Sequence, residues 1–216
     1  QLFIVDLIEK LENDFELIQT NTDGILCKLE KIEDLEKFKA ICNEWSKRTR
    51  FTLGFDIYTK VIQRDVNNYI LVDDEGNLKR KGAVVKKLSK LDNDLPIVNK
   101  AVVDYFVYNV PVEHTIMNCN DFIMFQKITK ISRKYEYGIH NGKILHERVH
   151  RCFASRDLND GILYKKKKEK ENPDKTAATP EHCFIYNDNV ENTPIPAKLD
   201  KQWYIDVAKE KISKFI

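Results

Sequence analysis

Glycine is scarce, with seven in 216 residues, and no run of it makes a phosphate-cradling loop. Neither the Gly-x-x-x-x-Gly-Lys-Ser/Thr pattern nor the Gly-x-Gly-x-x-Gly fingerprint is present, which removes the commonest nucleotide-binding enzymes. A Gly-x-Ser-x-Gly elbow is also missing, so a Ser-His-Asp hydrolase has no strained turn to present its nucleophile. Five cysteines (Cys27, Cys42, Cys119, Cys152, Cys183) are odd in number, widely spread and include no Cys-x-x-Cys pair. They read as reduced thiols of a cytoplasmic protein. No apolar run approaches the ~18 residues of a membrane span. The opening "QLFIVDLIEKLEND" carries acids inside its apolar run and no cleavage site, which excludes a signal peptide.

What is present is globular in composition: 42% apolar and 32% charged. The length suits one large domain or two small ones, and the start at Gln1 suggests a piece of a longer chain. The net charge of +2 hides an asymmetry. Residues 1–36 hold ten acids and three bases, a balance of −7, so the remainder carries +9. Within that remainder "LKRKGAVVKKLSK" (78–90) has six bases and no acid, and "QKITKISRK" (126–134) has four and none. Basic stretches facing an acidic half suggest a polyanion partner and a metal-binding acidic site.

Periodicity predicts a helix over Leu2–Asn13 with Ile4, Leu7, Ile8 and Leu11 on one stripe. A hairpin follows in "FELIQTNTDGILCKLEK", turning through Asn21-Thr22-Asp23-Gly24 between arms expected to be buried. A second helix is expected over Asp34–Lys47, facing the core with Leu35, Phe38, Ile41, Cys42 and Trp45. Residues 52–62 read as a strand, and "NYILVDDEGNLKRKGAVVKK" as a hairpin turning at Asp73–Asn77. Helices are then expected in "LPIVNKAVVDYFVYNV" (inward Val98, Ala101, Val102, Tyr105), in "NDFIMFQKITKIS" after an Asn120 or Asp121 cap, and in "DKQWYIDVAKEKISKF" (inward Trp203, Val207, Ile212, Phe215). The charged stretch 164–180 reads as a flexible surface loop. The pattern is α+β, strand-rich first and mainly helical after, parting near residue 90.

Two constellations carry chemistry. "HERVH" (His146-Glu147-Arg148-Val149-His150) matches the two-histidine zinc helix of metalloproteases, with Glu147 as the general base. Arg148 sits where such helices bury an uncharged residue, and no further His-x-x-Gly-x-x-His element follows. The second is the hairpin tip. Asp23 there is a single solvent-reachable carboxylate, and Mg²⁺ takes one or two carboxylates and completes its shell with water and phosphate oxygens. Asn-Thr-Asp-Gly is also ordinary turn chemistry, and the tetrapeptide alone favours that plainer reading.

In the order of its pieces the chain resembles the family B DNA polymerases, particularly divergent bacteriophage members. Their third palm motif is a hairpin written Tyr-Gly-Asp-Thr-Asp-Ser, and Gln19-Thr20-Asn21-Thr22-Asp23-Gly24 stands in its place. Thr22 and Asp23 keep the usual residue; Asp23 matches the aspartate that binds metal directly, and Asn21 replaces the less engaged one. In that family a helix and a strand lead to a Lys-x-Tyr motif touching the primer. Asn67-Asn68-Tyr69 stands there, with Lys81-Gly82 after the next turn. Asn67 removes a charged phosphate contact, which Arg64, Lys79 or Arg80 would restore. The similarity covers nearly the whole chain as order and texture rather than identity.

The resemblance implies an antiparallel palm portion over 1–90 with a catalytic-type β-hairpin, then a mainly helical thumb and C-terminal segment over 91–216. It implies template-directed deoxynucleotidyl transfer to a primer 3′ end by two-metal catalysis. Mg²⁺ would be shared with a carboxylate outside this chain, so the fragment alone would be inactive. Asp23 would be the catalytic metal ligand, with Asn21, Thr22 and Gly24 shaping its turn. Arg64, Asn67, Asn68, Tyr69, Lys79, Arg80 and Lys81 would contact DNA. The partners would be primer-template DNA, dNTP and the upstream remainder of the polymerase, with no membrane, in the cytoplasm of a bacterial host. Two other readings stand beside it: a non-catalytic nucleic-acid-binding module, and a zinc-dependent hydrolase acting through His146 and His150.

Overall fold

A computed structural model describes residues 2–22, 24–82, 85–88 and 93–215. It divides into two compact units, residues 1–79 and 80–216, each taken by itself below.

The first unit opens with α1 (Leu2–Leu11), whose stripe buries Leu7 and Leu11. The hairpin β1 (Glu16–Thr20) and β2 (Ile25–Lys28) follows, then α2 (Asp34–Thr49). Leu7, Leu11, Phe15, Cys42 and Trp45 form one core, with Ile25, Cys27, Leu29, Phe38, Ile41 and Leu53 packed against it. Trp45 Nε1 donates to the Phe3 carbonyl at 3.1 Å, and the ion pairs Arg48–Asp6 and Lys37–Asp14 link α2 to α1 and the residues that follow it. Acids in the first turn of α2 and bases in its last complement the helix dipole. Arg50 closes the helix in the left-handed region, φ 63°, its N–H on the Ser46 carbonyl at 2.8 Å.

A three-stranded antiparallel meander follows, in the order β3 (Tyr58–Asp65), β4 (Asn68–Asp73), β5 (Leu78–Lys81). Ile70, Leu71 and Val72 of β4 are buried. The strand expected over 52–62 is displaced: residues 52–57 belong to no strand. The hairpin at Asp73–Asn77 forms as expected. The Asp73 carboxylate accepts from the backbone N–H of Glu75 (3.0 Å) and Asn77 (2.7 Å), and Gly76 takes φ 82°. The division between units falls after Lys79. Ala83, Val84, Ser89 and Lys90 of the first basic stretch lie outside the described residues.

The second unit is not mainly helical. It has α3 (Pro96–Tyr108), α4 (Val112–Met117), a 3₁₀ turn (Phe122–Phe125) and α5 (Lys201–Ile212). Between them lie β6 (Lys127–Lys130), β7 (Tyr137–His140), β8 (Lys143–Leu145), β9 (Val149–Ala154), β10 (Tyr164–Lys166), β11 (Asp174–Lys175) and β12 (Cys183–Ile185). These make two antiparallel sheets, ordered β11-β10-β7-β8 and β12-β9-β6. The helix expected in "NDFIMFQKITKIS" stops after one 3₁₀ turn, capped by Asp121 accepting from Ile123 N at 3.2 Å. Ile128 and Thr129 then enter a strand against β9, the conformation β-branched side chains favour. Asn141-Gly142, both at positive φ, is the two-residue turn joining β7 to β8.

The stretch 164–180 is not a loose loop either, since β10 pairs with both β7 and β11. In α3 Val98, Ala101 and Val102 are buried as expected, but Tyr105 is exposed. The inward face of α5 is Tyr204, Ile205, Ala208 and Ile212, one position on from the expected Trp203 and Val207; Phe215 is only half-buried. Phe122 stacks on Phe153 with centroids 4.2 Å apart, and Phe184 lies 5.4 Å from Phe153. Among the described residues no helix is long and apolar enough to cross a membrane.

Candidate functional site

The β1–β2 hairpin is antiparallel, pairing Glu16 with Lys28, Leu17 with Cys27, Gln19 with Leu26 and Thr20 with Ile25. The register shifts between Leu17 and Gln19, leaving Ile18 unpaired as a bulge. Its arms are not both buried, contrary to expectation. Phe15, Ile25 and Cys27 reach the core, while Leu17, although paired with Cys27, and the bulged Ile18 remain exposed. At the tip the Asn21 N–H donates to the Gly24 carbonyl at 3.0 Å, closing the connection, and Asn21 and Thr22 are exposed. Asp23, the expected metal ligand, lies outside the described residues.

The expected DNA-contacting residues divide between the two ends of β3. At its C-terminal end, Asp65 organises the turn into β4 as an acceptor. Asn68 Nδ2 donates to both of its oxygens (2.9 and 3.0 Å), Asn67 N–H at 2.8 Å and Arg64 Nε at 2.8 Å. These donors, Asn68 first and then Arg64 and the Asn67 amide, hold the Asp65 carboxyl at about 2, well below its usual range. Arg64, Asn67 and Asn68 are thus brought together. Tyr69, the next residue of β4, pairs with Gln63 and is half-buried. Asp65 is the member of this cluster that sequence reasoning passed over; a turn acid followed by Asn-Asn between two strand runs was its signal.

Lys79 belongs to the other end. Its Nζ lies 3.2 Å from the Tyr58 hydroxyl and 3.4 Å from Asp56. Strand rise alone puts Tyr58 about 20 Å from Arg64. Lys79 is therefore not placed to replace the charge missing at Asn67, whereas Arg64 is its turn neighbour. Along β5 the exposure alternates, with Lys79 and Lys81 outward and Arg80 half-buried.

Several acids of the first unit are engaged in ion pairs. Asp6 meets Arg48, Asp14 meets Lys37, and Glu16 and Glu30 share Lys28 at 3.4 and 2.8 Å. Among the described residues no group of three or more His, Cys, Asp or Glu is placed to hold a metal ion. The described part of the tip does not by itself fit Mg²⁺; the donor set rests on Asp23. The second basic stretch is thinner than it reads, because Lys127 is turned onto Asp94 at 2.7 Å.

The zinc-helix reading of "HERVH" fails on geometry. His146 to Arg148 form no helix, and Val149 and His150 open β9. The His150 side chain is fully buried, its Nε2 donating to the Glu147 carbonyl (3.0 Å) and its Nδ1 accepting from Asn187 (3.3 Å). No ring lone pair is left for a metal. Burial lowers the His150 pKa, so the ring is held neutral. No protein-family model matches the chain, and no curated protein matches it in sequence.

Proposed function

We propose that the chain is the C-terminal palm and thumb portion of a DNA-directed DNA polymerase resembling the divergent bacteriophage members of family B. On this reading it acts in a bacterial host cytoplasm on primer-template DNA and dNTP, and is inactive without the upstream remainder. The observation that carries the reading is the arrangement of the first unit. A helix leads into a hairpin whose tip exposes Asn21 and Thr22, a second helix packs beside the first on one core, and a meander places Asn67-Asn68-Tyr69 where β3 turns into β4. That is the order in which the resembled family sets its metal-binding hairpin and its primer-gripping strand.

Asp23 would donate to Mg²⁺ together with a carboxylate supplied from outside these residues; the metal would lower the pKa of the attacking hydroxyl. Asn21 and Gly24 close the turn that carries it. The second part of the chain would hold the duplex, in a form richer in strands than the helical thumb that the resemblance implies.

The replacement of the family's first aspartate by Asn21 favours one other reading, a nucleic-acid-binding module whose tip has lost its metal. Asp23→Ala in the complete parent protein separates the two. Nucleotide incorporation should fall to background while DNA binding persists; incorporation at the wild-type rate would overturn the catalytic assignment.

A further inference from the structure

Tyr135 lies between β6 and β7, and its ring gathers three ammonium groups. Lys165 Nζ is 4.7 Å from the ring centroid, and Lys134 and Lys167 Nζ are each 5.5 Å from it. Tyr135 is only 6% exposed, so its ring is a buried floor with the cations above it. Its carbonyl accepts from Arg148 Nη1 at 2.6 Å, which fixes the turn. Lys165 and Lys167 stand on the same side of the extended segment begun by β10, because side chains alternate. Lys166 points the other way and donates to the carbonyls of Lys170 (2.6 Å) and Glu171 (2.5 Å), tying down the loop to β11.

The cluster is electrostatically unfinished. Asp174, opposite Lys165 on β11, is engaged by Lys170, which is the main reason its carboxyl titrates below its ordinary range. Among the described residues no carboxylate lies within ion-pair reach of Lys134, Lys165 or Lys167. Their distances to a common centroid put no two of the three more than about 11 Å apart, comparable to the Debye length of about 8 Å at physiological salt. They therefore act on an approaching anion together. Asp174 feels the charges of Lys165 and Lys167 at longer range, and the ring face attracts each cation, so mutually repelling groups stay assembled.

The spacing favours one kind of polyanion. Residues two apart on a strand stand about 6.6–6.8 Å apart, and neighbouring phosphates along one DNA strand, offset by about 3.4 Å of axial rise and further by the helical turn, repeat at a comparable separation. A single free phosphate has no such repeat. We propose that Lys134, Lys165 and Lys167, arrayed over Tyr135, form a contact surface for the phosphate backbone of a nucleic-acid strand, engaged without regard to sequence. This names contacts for the nucleic-acid partner inferred above, but it does not depend on metal chemistry at Asp23.

The test is fluorescence anisotropy of the whole chain with a 20-base-pair duplex of arbitrary sequence, titrated between about 50 and 200 mM salt. The triple variant Lys134→Gln, Lys165→Gln, Lys167→Gln should bind about a hundredfold or more weakly at 0.1 M salt. Its slope of log K against log salt should be shallower by about 2–3, since each phosphate contact contributes about 0.9. The control Lys209→Gln, Lys214→Gln removes two cations at α5 already paired with Glu113 and Glu210 and should leave the slope unchanged. Lys165→Arg, Lys167→Arg should retain binding. Three results would overturn the proposal: an unchanged slope in the triple variant, an equal loss in the control, or loss of binding to phosphatidylserine vesicles with DNA binding intact.

Discussion

Tyr204→Phe removes a single oxygen and should cost the second unit a large part of its stability. Tyr204 is fully buried on α5, its ring edge-on to Phe125 at 5.1 Å. Its hydroxyl donates to the Phe125 carbonyl at 2.6 Å and accepts from the Ala154 N–H at 3.1 Å. The register explains why it is there. β6 stops at Lys127, opposite Cys152, so the next rung on that side of β9 would set Phe125 against Ala154. The phenol oxygen sits in that rung and serves both backbone groups. Phe at 204 fills the same apolar space but leaves a buried carbonyl and a buried N–H unpaired, at about 1–3 kcal/mol each. The sum, about 2–6 kcal/mol, compares with a total of about 5–15 kcal/mol for a typical domain. Burial also pushes the phenol pKa above the ordinary tyrosine range, so the donor keeps its proton in alkaline solution. Urea unfolding followed by far-UV circular dichroism should show a lower midpoint at constant slope. A loss below about 1 kcal/mol would mean that the hydroxyl does not bridge the two strands.

Two further outcomes follow from local chemistry. His150 is buried neutral, and its lowered pKa means that the unfolded chain takes up a proton before the folded one does. Stability of the second unit should therefore be full above about pH 6.5 and decline as the pH falls below it, with the Glu147 and His140 side chains as the ionisable groups that face the ring. His150→Gln should flatten this dependence in denaturation midpoints measured from pH 5 to 8, and an unchanged profile would refute the assignment. Arg50 holds φ 63° at the exposed end of α2, a conformation that costs a side-chain-bearing residue about 1–2 kcal/mol. Arg50→Gly should raise the melting temperature of the first unit by a few degrees; a fall would contradict the left-handed cap.

How much of this was legible in the sequence varied with how local the determining forces are. α1, α2 and the Asp73–Asn77 turn were readable because each is fixed by its own periodicity or by a side chain bonding its own backbone. The Asn21–Gly24 hairpin was readable for the same reason, but the exposure of its arms was not, because that depends on what covers the outer face. In the second unit "FIMFQKITKIS" has apolar spacing compatible with a helix. Pairing of Lys127–Lys130 against Val149–Ala154, a partner far along the chain, decides for a strand. The lysines of 164–180 looked like solvent-filling charge, and nothing nearby in the sequence announces that Tyr135 would sit beneath them. Asn141-Gly142 was a readable turn signal that the neighbouring "HERVH" pattern overshadowed.

The phenol in the β6–β9 ladder also sets an order of assembly. Everything the first core needs, from Leu7 to Trp45, leaves a ribosome before the second unit does, so that body can consolidate while the rest is still being made. The middle strands must wait. Until residue 204 has been synthesised, the edge beyond Lys127 stays open and Ala154 lacks its acceptor. During that interval a nascent chain offers neighbouring polypeptides an unfinished strand margin.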